Sequence, residues 1–388
     1  MNTEDKNRWF ILLAFVIAHG VNDGFGWIIP PLLPFIREYF NLSYTEMGSI
    51  FSLFRLTSSI PQAPAAYLVH FFPASYVLTG GLLWSSIAMV FASFSVTYGV
   101  LLWLTAISGL GRATYHPLAV TILSRVFGRD RLGRAIGFHL SGSGVGMVVA
   151  PFLVGLLLPR FSWHLPLQIW CGIGLLAGFG LAFFLRHHYK EINPNVRSFH
   201  WPFFSWPLLL YILSSSIWGL AQGGILAFTA LFLVDERGFQ PESAALIFGL
   251  MALSGMACRP YLGALMDRMG RRKPLIIMGY VISAISILGL VFITHRWLII
   301  APLILLGIFG MGHSGLADTF MIESIPSLRR EETLGFVYTF RMGISAISPF
   351  LIGILAELVK IERAFLFLSI LPWIAAIIIL IADEKPQD

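Results

Sequence analysis

The sequence has 388 residues, of which 57% are hydrophobic and only 12% charged. Soluble domains carry about 25% charged residues, so this composition excludes a soluble globular protein and indicates a polytopic membrane protein. The formal net charge of +6 does not require a nucleic-acid partner, because membrane topology and anionic lipid account for basic loops.

Apolar stretches of the length that a membrane-spanning helix needs, about 20 residues, recur along the whole chain. They predict an all-α membrane protein with twelve transmembrane helices. The predicted spans are 9–36, 45–70, 76–95, 99–124, 135–158, 166–186, 205–234, 242–266, 274–293, 297–320, 334–358 and 364–382.

Lysine and arginine are distributed unevenly over the loops between these spans. With both termini in the cytoplasm, the cytoplasmic side holds sixteen of them and the opposite side six. Cytoplasmic loops of membrane proteins carry the excess of basic residues, so the sequence predicts a multi-pass protein with both termini cytoplasmic.

The first span carries ionisable groups at bilayer depth. Asp23 lies in its middle, His19 lies one turn earlier on the same helical face, and Asn22 precedes Asp23 directly. A charged side chain at this depth costs at least ~2.5 kcal/mol and usually marks an ion or substrate path. We therefore expect Asp23 and His19 to form a site with two titratable groups.

The second and fourth spans place further charges at the same depth. Arg55 and Arg112 lie about 20 Å from the cytoplasmic ends of their spans at ~1.5 Å per residue, as Asp23 does, and His116 lies one turn closer to the cytoplasm. We expect Arg112 to serve as a counter-ion or anion binder. The alternative is a static salt bridge between Asp23 and an arginine, which would only tie helices together.

A repeat relates the two halves of the chain. The segment 150–155 (Ala-Pro-Phe-Leu-Val-Gly) recurs as 348–353 (Ser-Pro-Phe-Leu-Ile-Gly) at an offset of 198, and Gly20 corresponds to Gly219 at an offset of 199. Chance matches of Gly and Pro in apolar helices are the alternative to a duplication. Two six-helix bundles in parallel orientation are typical of secondary transporters that work by alternating access. The predicted domains are an N-terminal bundle over 1–186, a cytoplasmic linker over 187–204 and a C-terminal bundle over 205–388.

The second half lacks the titratable pair of the first half. At the offset of 199, His19 maps on Trp218 and Asp23 on Gln222, so proton chemistry centred on the first span is one-sided. Other charged and polar groups lie inside its spans, and arginine outnumbers acid there. The predicted substrate-binding residues over the whole chain are Asn22, Arg55, Arg112, Trp218, Gln222, Arg259, His313, Asp318 and Arg341.

Arginine in the second half suits an anion such as a carboxylate or phosphonate, which a guanidinium binds with its forked donors. Asp318 can neutralise only one of Arg259 and Arg341, which leaves the other arginine for such an anion. The alternative for Arg259 is a side chain that extends to the membrane interface.

The loop after the eighth span reads Gly-Ala-Leu-Met-Asp-Arg-Met-Gly-Arg-Arg-Lys-Pro over 263–274. It resembles the loop signature of the major facilitator superfamily. We expect Gly263 to permit a close helix contact and Asp267, Arg268 and Arg271 to form a conformational latch with Arg134 at the start of the fifth span. The alternative is a basic loop that serves topology alone.

The first half of the chain also resembles the fosmidomycin resistance branch of that superfamily. The resemblance is carried by His19, Asn22, Asp23, Ser58, Ser59, Gln62, Pro64, His116 and Pro117. It implies a proton-driven exporter of a small compound in the cell inner membrane, in which the first and fourth helices line the cavity. Proton coupling is then expected at Asp23, His19 and His116.

Together, these features predict a secondary active transporter that exports a small anionic or amphiphilic compound in exchange for protons. A proton-coupled uptake carrier is one alternative, and a divalent metal-ion exporter that uses His19, Asp23 and His116 is another, because imidazole and carboxylate suit divalent metals. Without an ATP-binding loop or a nucleophile motif, we expect no enzyme activity, no cofactor and no resident metal. The expected partners are the substrate, protons and the lipid bilayer, and the expected state is a monomer.

Overall fold

In a computed structural model, the chain is described over residues 3–127, 129–189, 201–269, 271–312, 321, 325–326 and 329–382. These residues form helices and no strands, which confirms the all-α fold. The helices are α1 (Thr3–Phe40), α2 (Tyr44–Ser59), α3 (Gln62–Tyr67), α4 (Ala74–Ser93), α5 (Tyr98–Arg112), α6 (Tyr115–Val126), α7 (Arg129–Leu157), α8 (His164–His188), α9 (Trp206–Asp235), α10 (Pro241–Met269), α11 (Lys273–Phe292), α12 (Ile300–Leu305), α13 (Arg330–Val359) and α14 (Ile361–Ile381).

Within the described ranges, nine helices are long and apolar enough to cross a membrane. The predicted second, fourth and tenth spans are interrupted instead of forming one regular helix each. The second span consists of α2 and α3, and the fourth consists of α5 and α6. In the tenth span, α12 continues into a wide π-helical turn over Leu306–Met311, and residues 313–320 lie outside the described part of the chain.

Proline explains the interruption of the fourth span. Pro117 has no N–H to bond the carbonyl of Ala113, four residues earlier, and a proline is tolerated only in the first turn of a helix. The chain therefore ends α5 at Arg112 and begins α6 at Tyr115. Arg112 and His116 consequently lie on either side of the break.

Glycine allows the wide turn in the tenth span to pack closely against α10. A Cβ atom built on Gly307 would lie 2.1 Å from the backbone oxygen of Met251 on α10, so only glycine permits this approach of the two helices. On the other side of the contact, a Cβ on Gly255 would lie 2.7 Å from the backbone oxygen of Gly307. Irregular helical turns of this kind are frequent at functional sites.

The first compact unit comprises Met1–Asn41 and Leu53–Arg197. Its closest helix contact joins α1 to α7, and it is made backbone to backbone. A Cβ atom on Gly146 would lie 1.8 Å from the oxygen of Gly20, and one on Gly142 would lie 2.1 Å from the oxygen of Val16. The glycines of α7 therefore bring one face of this helix directly against the middle of α1.

The second compact unit comprises Leu42–Ser52 and Ser198–Asp388. In this unit α9 is bound to α13, where Ser345 Oγ donates a hydrogen bond to the backbone oxygen of Gly219 at 2.8 Å.

The boundary between the units differs from the predicted domains, because the first turns of α2 belong to the second unit rather than to the first bundle. These turns of α2 pack tightly against α13. The backbone N–H of Phe350 donates to Ser52 Oγ at 2.8 Å, and a Cβ on Gly48 would lie 2.2 Å from the oxygen of Pro349.

Candidate functional site

The centre of the first unit is the carboxylate of Asp23 on α1, and it has partners on four helices. Its Oδ1 accepts a hydrogen bond from Arg112 Nη2 at 2.9 Å and lies 3.2 Å from His116 Nε2. Its Oδ2 accepts a hydrogen bond from Ser143 Oγ at 2.5 Å and lies 3.3 Å from His19 Nε2. The Asp23 side chain is 12% exposed, so the carboxylate has exchanged water for protein donors.

Arg112 is held at two points. Its Nε donates to the backbone oxygen of Asn22 at 2.9 Å while Nη2 donates to the neighbouring carboxylate of Asp23. The guanidinium therefore remains attached to α1 through the backbone even when the carboxylate is neutralised. Arg55 on α2 is half-buried and lies near enough to Arg112 for the two positive charges to repel each other.

Hydrogen-bond chemistry determines where protons sit around His19. Its Nδ1 lies 2.9 Å from the backbone oxygen of His139, and because a carbonyl only accepts, Nδ1 carries a proton. In a neutral imidazole Nε2 would then be an acceptor facing the carboxylate of Asp23, and two acceptors repel. A proton must therefore lie on Nε2 of His19 or on Asp23.

Aromatic rings surround this pair on the side of α6 and α7. The imidazole of His19 stacks on that of His139 with centroids 4.2 Å apart, and the ring of Tyr115 lies 5.4 Å away. Tyr115 is itself fixed, since its hydroxyl donates to the backbone oxygen of Phe15 at 2.7 Å. His19 and His139 are both 2% exposed.

Asn22 is fully buried beside the centre. Its Nδ2 lies 3.3 Å from Asp23 Oδ1, and its own Oδ1 has no hydrogen-bond partner among the described residues. With the amide reversed, its oxygen would face the carboxylate, so this orientation is the one that suits an ionised Asp23.

Sequence reasoning found His19, Asp23, Arg112 and His116 in this centre but did not assign His139 and Ser143 of α7 to it. The sequence contains a signal for both. His139 and Ser143 are four residues apart on α7, as His19 and Asp23 are on α1, and the glycines at 142 and 146 mark the side of α7 that approaches another helix.

Removing the Ser143 hydroxyl tests its contact with Asp23. In Ser143→Ala the carboxylate loses one donor and the protonated form becomes relatively more stable, so the pH at which half of Asp23 is protonated should rise by about one unit. Infrared difference spectroscopy of the purified protein during a pH titration measures this through the carboxyl band that Asp23→Asn removes. Ser141→Ala is the matched control, because Ser141 lies exposed on the same helix. An unchanged midpoint in Ser143→Ala would contradict the prediction.

The geometry also bears on the metal alternative. One nitrogen each of His19 and His116 and one oxygen of Asp23 lie within 4.8 Å of one another, a spacing that a divalent ion can bridge. Arg112, however, donates to the same Asp23 oxygen that faces His116. A fixed positive charge at this position opposes a second cation.

In the second unit, Arg341 on α13 is set among tyrosines. Its Nη1 donates to the hydroxyl of Tyr211 on α9 at 2.9 Å, and the guanidinium lies 5.4 Å from the ring of Tyr211 and 5.9 Å from that of Tyr338. Arg259 is half-buried on α10. His313 and Asp318, which the sequence places with them, lie outside the described residues.

Trp218 and Gln222, the counterparts of His19 and Asp23 in the second unit, differ in burial. Trp218 is only 4% exposed, with its ring 5.9 Å from that of Tyr280 and one ring atom 3.3 Å from a Cβ built on Gly310. Gln222, one turn further along α9, is half-buried. Trp218 therefore packs inside the unit in this structure, and its predicted contact with substrate stays a prediction.

The predicted latch takes its residues from both halves of the sequence. Arg134 in the first unit and Arg268 and Arg271 in the second are exposed, and the side chain of Asp267 lies outside the described part. Among the described residues, no atom lies within 4 Å of a Cβ built on Gly263, and the close helix contact expected there stays a prediction.

One residue of the same loop has a clear structural role. Lys273 Nζ donates to the backbone oxygens of Leu380 at 2.5 Å and Ala382 at 2.6 Å, at the C-terminal end of α14. A lysine at a helix C-terminus satisfies the last carbonyls and opposes the negative end of the helix dipole.

A multi-pass helical fold with a buried ion-pair network at bilayer depth defines a membrane transporter. The family model of the Major Facilitator Superfamily matches residues 15–275 and 256–388. The chain therefore belongs to the Major Facilitator Superfamily, and it is a transporter of small molecules rather than an enzyme.

Two relatives are distant in sequence but match at least 90% of the chain. The chain is 21% identical to the fosmidomycin resistance protein of Escherichia coli (strain K12) over 100% of its own length and 96% of the relative. It is 22% identical to the D-galactonate transporter of Escherichia coli O6:H1 (strain CFT073), with 90% of each covered. The crystal structure of a bacterial homologue of the human lysosomal transporter Spinster is similar in fold, with a TM-score of 0.82, 17% identity and coverage of 97% of this chain and 96% of that one.

Proposed function

We propose that the chain is a proton-coupled carrier that exports a small anionic or amphiphilic compound by alternating access across the cell inner membrane, as a monomer with both termini cytoplasmic. One observation carries this proposal: one oxygen of the buried Asp23 carboxylate lies 3.3 Å from His19 Nε2, while Arg112 and His116 contact its other oxygen. A site of this kind can load and release a proton without a cofactor.

The contacts suggest how proton binding acts on the rest of the site. When Asp23 is protonated, its oxygen no longer offers Arg112 a full negative charge, and the charge-assisted hydrogen bond at 2.9 Å weakens. Arg112 stays attached to the backbone oxygen of Asn22 through Nε. Proton binding to Asp23 therefore leaves the guanidinium of Arg112 in place through Nε and makes its Nη2 donor available to another anion.

The charge of the substrate is inferred from the arginines. Arg112 in the first unit and Arg341 in the second are partly buried guanidiniums with hydrogen-bond partners that orient them. Arginine binds carboxylate and phosphonate groups well, because its planar fork matches two acceptor oxygens. The names of two relatives, a fosmidomycin resistance protein and a D-galactonate transporter, make these two compounds the first probes to test.

The release of Arg112 on proton binding favours uptake as the second candidate. If the substrate anion takes the donor that Asp23 gives up, proton and anion bind together, and a carrier with this linkage moves both in the same direction. If the anion binds without using Arg112, its binding is not linked to the protonation of Asp23 in this way, and the carrier can exchange protons for substrate. Anion affinity measured at two pH values separates these cases, since only the first predicts tighter binding at the lower pH.

A divalent metal-ion exporter is the third candidate, and it is favoured by the spacing of His19, Asp23 and His116. Calorimetric titration of the purified protein with Zn²⁺ or Co²⁺ alone tests it. Binding that His116→Ala abolishes would support metal transport and weigh against the anion proposal. We expect no such binding, because Arg112 contacts the same carboxylate.

The proposed function is tested by flux into and out of proteoliposomes under an imposed pH gradient, with fosmidomycin, D-galactonate and a panel of other small carboxylates and phosphonates. We expect at least one of them to move against its concentration gradient in the direction opposite to the proton gradient. Movement with the proton would replace export by uptake. No gradient-driven movement of any anion, together with no proton exchange, would contradict proton coupling.

A further inference from the structure

We infer that His139 on α7 is a positioning residue of the proton-binding centre: it holds the imidazole of His19 in the orientation that faces Asp23 and stabilises its positive charge. This inference rests on the proposed proton coupling and deepens it, because it names a residue that controls how tightly the centre binds its proton.

The packing of two helices places His139 at the centre. The backbone contact of Gly142 and Gly146 with α1 leaves no room for side chains between these helices at that level. The side chains of α7 that are close to these glycines on the same face then lie beside those of α1. His139 consequently lies against His19, and Ser143 lies against Asp23.

Contacts at three sides fix the ring of His19. His139 lies parallel to it, with an interplanar angle of 18° and a centroid distance of 4.2 Å, and the backbone oxygen of His139 binds its Nδ1. His116 meets it edge-on at 5.2 Å. His139 is itself held from behind by Phe15, whose ring lies edge-on at 6.1 Å. Rotation of His19 away from Asp23 would break the stack and the hydrogen bond together.

The stack also acts on the charge of His19. A positive charge over the face of a neutral aromatic ring is stabilised by about 0.5–2 kcal/mol, depending on burial. The charged and titratable groups around His19 are Asp23 on α1, Arg112 on α5, Tyr115 and His116 on α6 and His139 on α7. Among them, the ring of His139 is the most nearly parallel to His19 and the closest to it.

Two substitutions separate the effect of the aromatic ring of His139 from the effect of the volume that its side chain fills. His139→Phe keeps an aromatic ring over His19, whereas His139→Leu fills the space without one. The probe is the proton alone: the purified full-length protein is titrated with acid, and the Asp23-dependent infrared carboxyl band is followed. We expect His139→Leu to move the midpoint of this titration to higher pH by about half to one unit, because a less stable imidazolium of His19 leaves the shared proton on Asp23. His139→Phe should leave the midpoint near the wild-type value.

The matched control is His164→Leu. His164 also lies in the first unit and also stacks on an aromatic ring, with its centroid 4.0 Å from that of Trp163, but it is not part of the proton-binding centre. This variant should titrate as the wild type does. If His139→Leu does not reach the membrane in folded form, His139→Met provides the same comparison with a more adaptable side chain.

Equal midpoints in the wild type, His139→Leu and His139→Phe would overturn the inference. Equal shifts of the midpoint in both variants would also overturn it, because the effect would then come from the nitrogen atoms of His139 and not from its aromatic ring. Failure of the proposed function is distinguishable from both results, because the wild type would then lack any carboxyl band that Asp23→Asn removes.

Discussion

Replacing Asp23 by Asn is expected to abolish transport driven by a pH gradient. Asn cannot take up a proton, so the variant loses the proton-binding group that we propose Asp23 to be, beside His19. Uphill accumulation in proteoliposomes should fall to background. Downhill exchange of a transported probe should persist if substrate binding does not need the proton. The measurement is flux of that probe together with the internal pH reported by a trapped dye.

Two checks make the Asp23→Asn result specific. The change leaves Arg112 without its carboxylate, and breaking a buried ion pair costs about 3–5 kcal/mol, so the folded fraction must be measured beside the flux. Glu38→Gln is the matched control, because it removes one negative charge from an exposed position of the same helix. Gradient-driven transport at the wild-type rate in Asp23→Asn would reduce this residue to a structural ion-pair partner.

Substitution of Gly146 by Ala is expected to have the largest effect on stability. The added methyl group would lie 1.8 Å from the backbone oxygen of Gly20, and no side-chain rotation relieves a clash with backbone. The helices α1 and α7 must separate, at a cost of about 1–3 kcal/mol. Because the separation also lengthens the hydrogen bond from Ser143 to Asp23, we expect the variant to melt at lower temperature and to lose proton coupling as well.

Gly137→Ala provides the comparison on the same helix. No described atom lies within 4 Å of a Cβ at Gly137, and alanine favours a helix over glycine by up to about 1 kcal/mol. Thermal unfolding of both purified variants in detergent should therefore show Gly146→Ala destabilised and Gly137→Ala unchanged or slightly stabilised. Equal melting temperatures would show that the α1–α7 contact does not limit stability.

Much of the fold follows from the sequence because the bilayer imposes a length. A helix that spans hydrocarbon needs about 20 apolar residues, and runs of this length can be read without knowledge of tertiary contacts. Interruptions within such runs are harder to predict. Pro117 breaks its span and Pro151 does not break α7, because the outcome depends on whether neighbouring groups satisfy the carbonyl that each proline leaves.

The part of the candidate site that lies on adjacent turns of one helix could be predicted from the sequence. His19 and Asp23 are paired by helical geometry alone, and the similar depth of Arg112 and His116 follows from counting residues. His139 and Ser143 are 120 residues away along the chain from their partners, so their contribution depends on which face α7 turns toward α1. The rotation of α7 about its own axis is set by the packing of its glycines against α1. Counting residues from the end of a span gives the depth of a residue but not this rotation.

The packing of Trp218 against Gly310 has an electrical consequence. At the repeat offset of 199, Trp218 stands in the second half where His19 stands in the first. An uncharged indole thus occupies the position that a titratable imidazole occupies in the other unit. The membrane potential does work only on charge that moves, about 2.3 kcal/mol per elementary charge per 100 mV. We therefore expect the membrane potential to act on the charged groups around His19 and not on the indole at the corresponding position of the second unit.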